Sequence, residues 1–335
     1  MTAGRATTAG RTGAAADRLL PVAVAVPVAL VGGACSAVQG VVNGGLAERV
    51  GTPVVAALVS NGLATVLLLA AALAFRPVRV GLGRLRGSGL RWWQYLGGVC
   101  GALFVAGSAL TVPVLGVALV TVVQVCGTSV GGVVTDRLGL GPTGRLPISP
   151  VRLGSAVLAV VAVGIAQLGR PVGDVAVGLL GFVLLLGLGL SVQSALNGRV
   201  TQTARNVGSA SLVNALVGTS ALSLAAGAFA AAGHLHPHAA GGPWWLYLGG
   251  VLSLVVTGAN LAAVRTLGVL RTGLAVIAGQ LVGGLLLDTF VPGQHRPTPA
   301  VVVGAALTVA AVLLSGLATG GRPRRRTAPA GGADS

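Results

Sequence analysis

Trp92-Trp93-Gln94-Tyr95-Leu96-Gly97-Gly98-Val99 returns 152 residues later as Trp244-Trp245-Leu246-Tyr247-Leu248-Gly249-Gly250-Val251. At the same offset Leu115-Gly116 pairs with Leu267-Gly268, and Gly131-Gly132-x-x-x-Asp136 with Gly283-Gly284-x-x-x-Asp288. Gln39-x-x-x-Asn43 comes back as Gln193-x-x-x-Asn197 at an offset of 154. Four matched segments in one order mark an internal duplication.

The duplicated unit is a set of apolar runs. Of 335 residues 54% are hydrophobic and 8% charged, against about 25% charged in an average soluble chain. Runs near the ~20 residues that span a bilayer as a helix recur throughout. Ten are predicted, at 19–47, 53–75, 92–111, 115–135, 152–169, 175–197, 207–231, 244–263, 272–288 and 299–318. A closed barrel would need alternation of polar and apolar residues, which these runs lack. The fold class expected is an all-α polytopic membrane protein. Residues 1–18 and 319–335 read as disordered tails, 19–169 as the first five-helix repeat and 170–318 as the second.

Every one of the 22 basic residues is an arginine, and they outnumber the acids by 16. Without lysine there is no Walker-A lysine, Schiff base or pyridoxal site, so ATP-driven transport within this chain is excluded and no cofactor is expected. The arginines do not form the single patch of a nucleic-acid binder. They cluster between runs instead. With the N-terminus inside, nineteen fall on the inner side (tail, 76–91, 137–152, 199–205, 265–271, 322–326) and Arg49, Arg170 and Arg296 on the outer. This places both termini in the cytoplasm and the chain in the cell membrane. Five helices per repeat invert the second copy. Five arginines precede Trp92, whereas His234, His236 and His238 precede Trp244, as in the inverted repeats of secondary transporters.

Taken together, the Gln-x-x-x-Asn, the Trp-x-Tyr-Leu-Gly-Gly, the Pro113-Val114-Leu115-Gly116 turn and the Gly-Gly-x-x-x-Asp resemble the YdcZ-type inner-membrane exporters of the drug/metabolite transporter superfamily, in two fused copies. The resemblance covers about residues 20–318. It implies a ten-helix pseudo-two-fold bundle with a central cavity and alternating access, and leaves the substrate open. The second copy departs from the first by having Arg265-Thr266 where the first has Pro113-Val114.

Polar groups in lipid are costly unless they face a cavity or one another, so intramembrane amides are the pathway candidates. Gln124 and Gln280, with Thr128 at the repeat position of Gln280, lie near mid-span. They read either as solute contacts or as interhelical glue worth ~0.6–2 kcal/mol. Gln39 with Asn43 and Gln193 with Asn197 are i,i+4 pairs on one helix face, toward the outer and inner surface respectively, and read as pathway linings or as packing. Asn61, Asn214 and Asn260 complete the intramembrane amides. No carboxylate or histidine stands mid-span. Asp136 and Asp288 close their helices and are expected as interface acids. This composition favours a neutral polar or weakly amphipathic small molecule over a cationic drug.

No metal site is expected: His234, His236, His238 and His295 read as solvated loop residues. Cys35, Cys100 and Cys126 are odd in number, lie in apolar runs and read as packing residues. The four tryptophans read as headgroup anchors. The function expected is secondary transport by a chain with the bilayer around it, free to pair as a homodimer. Its alternatives are a non-transporting assembly subunit and an intramembrane lipid-acting enzyme.

Overall fold

In the computed structural model the chain is described from residue 21 to 320, apart from 143, 146–149, 167, 169–173, 234–241 and 292–295. The four histidines lie outside these residues. The described residues form helices and no strands. In order they are α1 (Val22–Val50), α2 (Pro53–Ala74), α3 (Arg76–Arg86), α4 (Gly97–Leu115), α5 (Val117–Leu138), α6 (Pro150–Ala166), α7 (Asp174–Ala204), α8 (Val207–Ala231), α9 (Gly249–Phe290) and α10 (Pro299–Gly320). Single 3-10 turns at Trp92–Tyr95 and Trp244–Leu248 lead into α4 and α9. Among the described residues, seven helices are long and apolar enough to cross a membrane by length and composition.

Local chemistry sets the ends. Gly51, at φ 78°, terminates α1, and Thr52 then caps α2 with Pro53 at its first position. The second half repeats this with Arg205 at φ 51° and Asn206, whose Oδ1 accepts from Ser209 N–H at 2.9 Å. α4 and α5 are separated by Gly116, at φ 84° and ψ 154°, just after Pro113. Here glycine is required because L side chains rarely take that conformation.

Two elements depart from the expected pattern. The arginine-rich stretch after α2, expected as a connection, contains α3. Its Gly81 and Leu85 are buried, and Gly81 lies against Ser209 and Asn206 at the start of α8. The runs 244–263 and 272–288, expected as separate helices, belong to one helical element, α9. α9 cannot be straight. A Cβ on Gly32 would meet Ala259, and one on the next residue, Gly33, would meet Val276 and Gln280. In a straight helix Ala259 and Val276 stand about 25 Å apart. α9 therefore doubles back alongside α1, between Ala263 and Ala275, both of which pack with Ala25 and Ala29. The two places differ in sequence: position 265 carries arginine where α4 has Pro113, whose fixed φ and missing N–H weaken the helix just before Gly116.

The halves interlock across close backbone contacts. α1 packs along both arms of α9, and α7 equivalently along α4 and α5. A Cβ on Gly33 would stand 2.0 Å from the Val276 carbonyl oxygen, and one on Gly279 2.0 Å from that of Leu30. Their repeat counterparts behave alike: Gly187 would meet the Gln124 carbonyl at 2.4 Å and Gly127 that of Leu184 at 2.3 Å. α2 packs on α8 and α6 on α10, each with its own repeat mate. Thr65 and Thr219, 154 positions apart, share a hydroxyl hydrogen bond of 2.8 Å. At the centre lies α5, whose Val117 to Val123 pack with Ala37, Val183, Leu281, Val301 and Ala305 from four other helices.

The crossing yields a stability test. Gly33→Ala is expected to lower the melting temperature of the purified protein sharply, an overpacking cost of about 3 kcal/mol, because its Cβ meets backbone that cannot yield. Gly62→Ala, where a Cβ meets nothing within 4 Å, is expected to leave it unchanged or raised by about 0.5–1 kcal/mol through helix propensity.

Candidate functional site

Between the two halves lies a cavity of about 520 Å³, lined from α1, α2, α4, α5, α7, α8 and both arms of α9. It collects Gln39, Asn43, Asn61, Gln124, Gln193, Asn197, Asn214, Asn260 and Gln280, nine amides on an otherwise small and apolar wall. Six of the seven residues proposed for the pathway from sequence therefore meet here. Thr128 does not line it: the Thr128 hydroxyl donates back to the carbonyls of Gln124 and Val125, and its own carbonyl takes the Ser191 hydroxyl.

The two motifs explain each other. Asn197 lies against Gly97, where a Cβ would come 2.7 Å from Oδ1, and Asn43 lies likewise against Gly249, at 2.2 Å. The Gly-Gly pair thus lets each copy's third predicted span press on the amide pair of the other copy. Gln124 and Gln280 meet across the halves, Gln280 Nε2 donating to Gln124 Oε1 at 3.3 Å, with both side chains buried.

The hydrogen bonding of the halves differs. Asn214 Oδ1 accepts from Gln193 Nε2 at 3.1 Å and from Asn197 Nδ2 at 2.9 Å, so both its lone pairs are used. The counterpart of Asn214, 154 positions earlier, is Ser60. Its Oγ is buried without a partner, as is Asn43 Oδ1.

The cavity ends also differ. We call the end carrying α3, Arg137 and Arg199 the basic end. There Thr201, Val207 and Ser211 line the cavity. At the far end the counterparts Ala47 and Ala57 are buried. Leu46, Val50, Ala56, Ala109 and Leu246 pack with Ala47, and Ala102 and Leu222 with Ala57. Gly40 and Gly44 of α1 lie against Val112 and Pro113 of α4, completing this seal.

Charged groups hold the frame. Asp288, expected as an interface acid, is 3% exposed and accepts the backbone N–H groups of Val117 at 2.9 Å and Ala118 at 2.8 Å, the first two residues of α5 after the Gly116 break. A buried carboxylate costs several kcal/mol unless hydrogen-bonded, and two N–H donors at a helix N-terminus offset that cost. At the other end of α5, Arg199 Nε donates to the Leu140 carbonyl at 2.7 Å and Nη2 to that of Gly139 at 2.6 Å. Arg84 donates to the Ala204 carbonyl ending α7, and Arg79 to the Ala72 and Leu73 carbonyls ending α2. Sequence reading missed these cap roles, although the Gly116 break does announce a new helix N-terminus needing an acceptor. Among the described residues no group of three His, Cys, Asp or Glu side chains could hold a metal. Trp92 and Trp244 are about three-quarters exposed at the starts of their turns, as headgroup anchors are.

Residues 24–165 and again 178–314 match the family described as "Putative inner membrane exporter, YdcZ". The chain is similar to Inner membrane protein YdcZ of Escherichia coli (strain K12), 35% identical over 115 residues that make up 33% of this chain and 74% of that protein. That relative is thus about the size of one half. A crystal structure of a protein 16% identical superposes with a TM-score of 0.54, over 89% of this chain and 96% of that one. The likeness extends through both halves.

The Asp288 clamp predicts an order of stabilities. Asp288→Asn keeps one acceptor for the start of α5 and Asp288→Ala keeps none, each orphaned N–H costing about 1–3 kcal/mol. Thermal melting in detergent is expected to rank wild type above Asp288→Asn above Asp288→Ala.

Proposed function

The chain belongs to the YdcZ family of inner membrane exporters, and from that premise we propose that it is a secondary transporter moving a small polar or amphipathic solute by alternating access. The observation that carries this reading is the cavity: amides from both halves line it, it reaches the basic end, and it is sealed at the far end. A structural amide cluster needs no such opening. A solute pathway does.

The membrane arrangement we infer is ten spans in two inverted repeats, each arm of α9 counting as one. At 42 residues α9 would be about 63 Å long if straight, twice the ~30 Å hydrocarbon thickness. Its reversal removes that conflict. The nineteen-to-three division of arginines supports a cytoplasmic position for the basic end and for both termini. The cavity then opens inward. Outward opening would release the seal of α1 on α4 and form its counterpart between α7 and the first arm of α9. The repeat makes these two arrangements near-equivalent in packing, which is what a two-state cycle needs. Export is the direction that the family's description carries. Among the described residues the lining holds no titratable side chain, so this reading places no proton carrier in the cavity wall.

Sidedness of thiol labelling tests it. In a background with Cys35, Cys100 and Cys126 replaced by alanine, Thr201→Cys is expected to react with a membrane-impermeant maleimide in inside-out vesicles. Ala47→Cys is expected to stay protected there and to react from outside in proportion to the outward-open population. Reaction of both positions from the same side would contradict alternating access.

A further inference from the structure

We infer that the cavity takes a neutral aliphatic solute bearing several hydroxyl or amide groups, and that Gln39 and Asn61 of the first half read it, with Asn43 behind them, while Gln193, Asn197 and Asn214, tied to one another, form the opposing wall. This rests on the transporter reading and adds a substrate class and the reading residues to it.

The class follows from what the wall offers. Among its described residues there is no Asp, Glu, Arg or His, and Phe104 is the sole aromatic ring. A net charge brought into an apolar bundle loses its hydration and meets no counter-charge. An aromatic or cationic drug meets neither a carboxylate nor a stacking surface beyond that one ring. Amides, in contrast, offer donor and acceptor together, two N–H and a carbonyl each, which suits hydroxyl and amide groups. A volume of about 520 Å³ lies within the range of small-molecule sites.

The division of labour follows from hydrogen-bond accounting. Asn214 absorbs both donors that reach it, so the second-half amides hold one another in place. In the first half the serine at position 60 is too short for that role. Gln39, Asn43 and Asn61 all line the cavity, and among the described residues none of the three makes a side-chain hydrogen bond. Asn43 is 1% exposed, its unpartnered Oδ1 turned toward Gly249, so the half-buried Gln39 and Asn61 are the ones that present unspent donors and acceptors to the cavity. Hydroxyl and amide groups of a solute pair with these two side chains. Two copies of one motif have thus diverged at two adjacent positions, Ser60-Asn61 against Asn214-Ala215, into a reading face and a supporting face.

The test combines thermal melting of the purified full chain with solute counterflow in proteoliposomes. The probes are mannitol and N-acetylglucosamine as neutral solutes, tetraphenylphosphonium as a cation and succinate as an anion. Elution volume and the helical circular dichroism of each variant certify its fold. The neutral probes are expected to raise the melting temperature and to exchange. Gln39→Leu and Asn61→Leu should each weaken their apparent affinity by about tenfold without lowering the melting temperature of the unliganded protein. Asn214→Leu should lower that melting temperature, since two amides lose their acceptor. Stabilisation by tetraphenylphosphonium or succinate, with none by the neutral probes, overturns the class and leaves the transporter reading standing. Wild-type affinity in Gln39→Leu and Asn61→Leu overturns the assignment of the reading face. Neutral binding without counterflow supports the site and refutes transport. No response to the neutral probes from folded protein overturns the proposal.

Discussion

Everything in this bundle hangs on helices touching backbone to backbone. Where α1 crosses α9, Gly33 and Gly279 each bring a bare Cα against a carbonyl of the other helix, and Gly187 and Gly127 do the same for α7 and α5. In lipid, helices gain nothing from hiding apolar surface from water, so association depends on close packing of this kind. The crossings also place the amides. Gly187 abuts the Gln124 carbonyl and Gly33 the Gln280 amide nitrogen, which holds both glutamines beside the joint between the halves. The cavity is what remains where the crossings hold the outer helices apart.

Polar groups are spent sparingly and at ends. Asp288 and Arg199, both from the second half, hold the two termini of α5 in the first. A central helix is thus gripped by charges that complement its dipole at either end. Arginine suits this work because its planar fork reaches two carbonyls at once, as Arg199 does. The arginines of the basic end therefore serve packing, by closing helix C-termini.

Much of this was legible in advance. The Trp-Trp-x-Tyr-Leu-Gly-Gly duplication and the Gly-Gly-x-x-x-Asp spacing pointed to two interlocked halves, and i,i+4 amides pointed to one helix face and so to a shared lining. What escaped had physical causes. α3 was read as a connection because four of its eleven residues are arginines, which hid Val78, Leu82 and Leu85 at helical spacing. The single α9 was read as two helices because an apolar pattern broken by Arg265 and Arg271 looks the same whether the backbone breaks or bends. Asp288 was placed at an interface because its depth depends on α5 arriving over it from the other half.

The sequence by itself determined the helical class, the membrane setting, the duplication and the family, because apolar length, arginine clustering and repeated motifs are properties of contiguous residues. Only the tertiary structure decided which amides are satisfied and which end of the cavity is closed. Gln39-x-x-x-Asn43 and Gln193-x-x-x-Asn197 are the same on paper. They differ because Asn214 spans the distance to its pair and Ser60 does not, a difference set by side-chain reach across two packed helices.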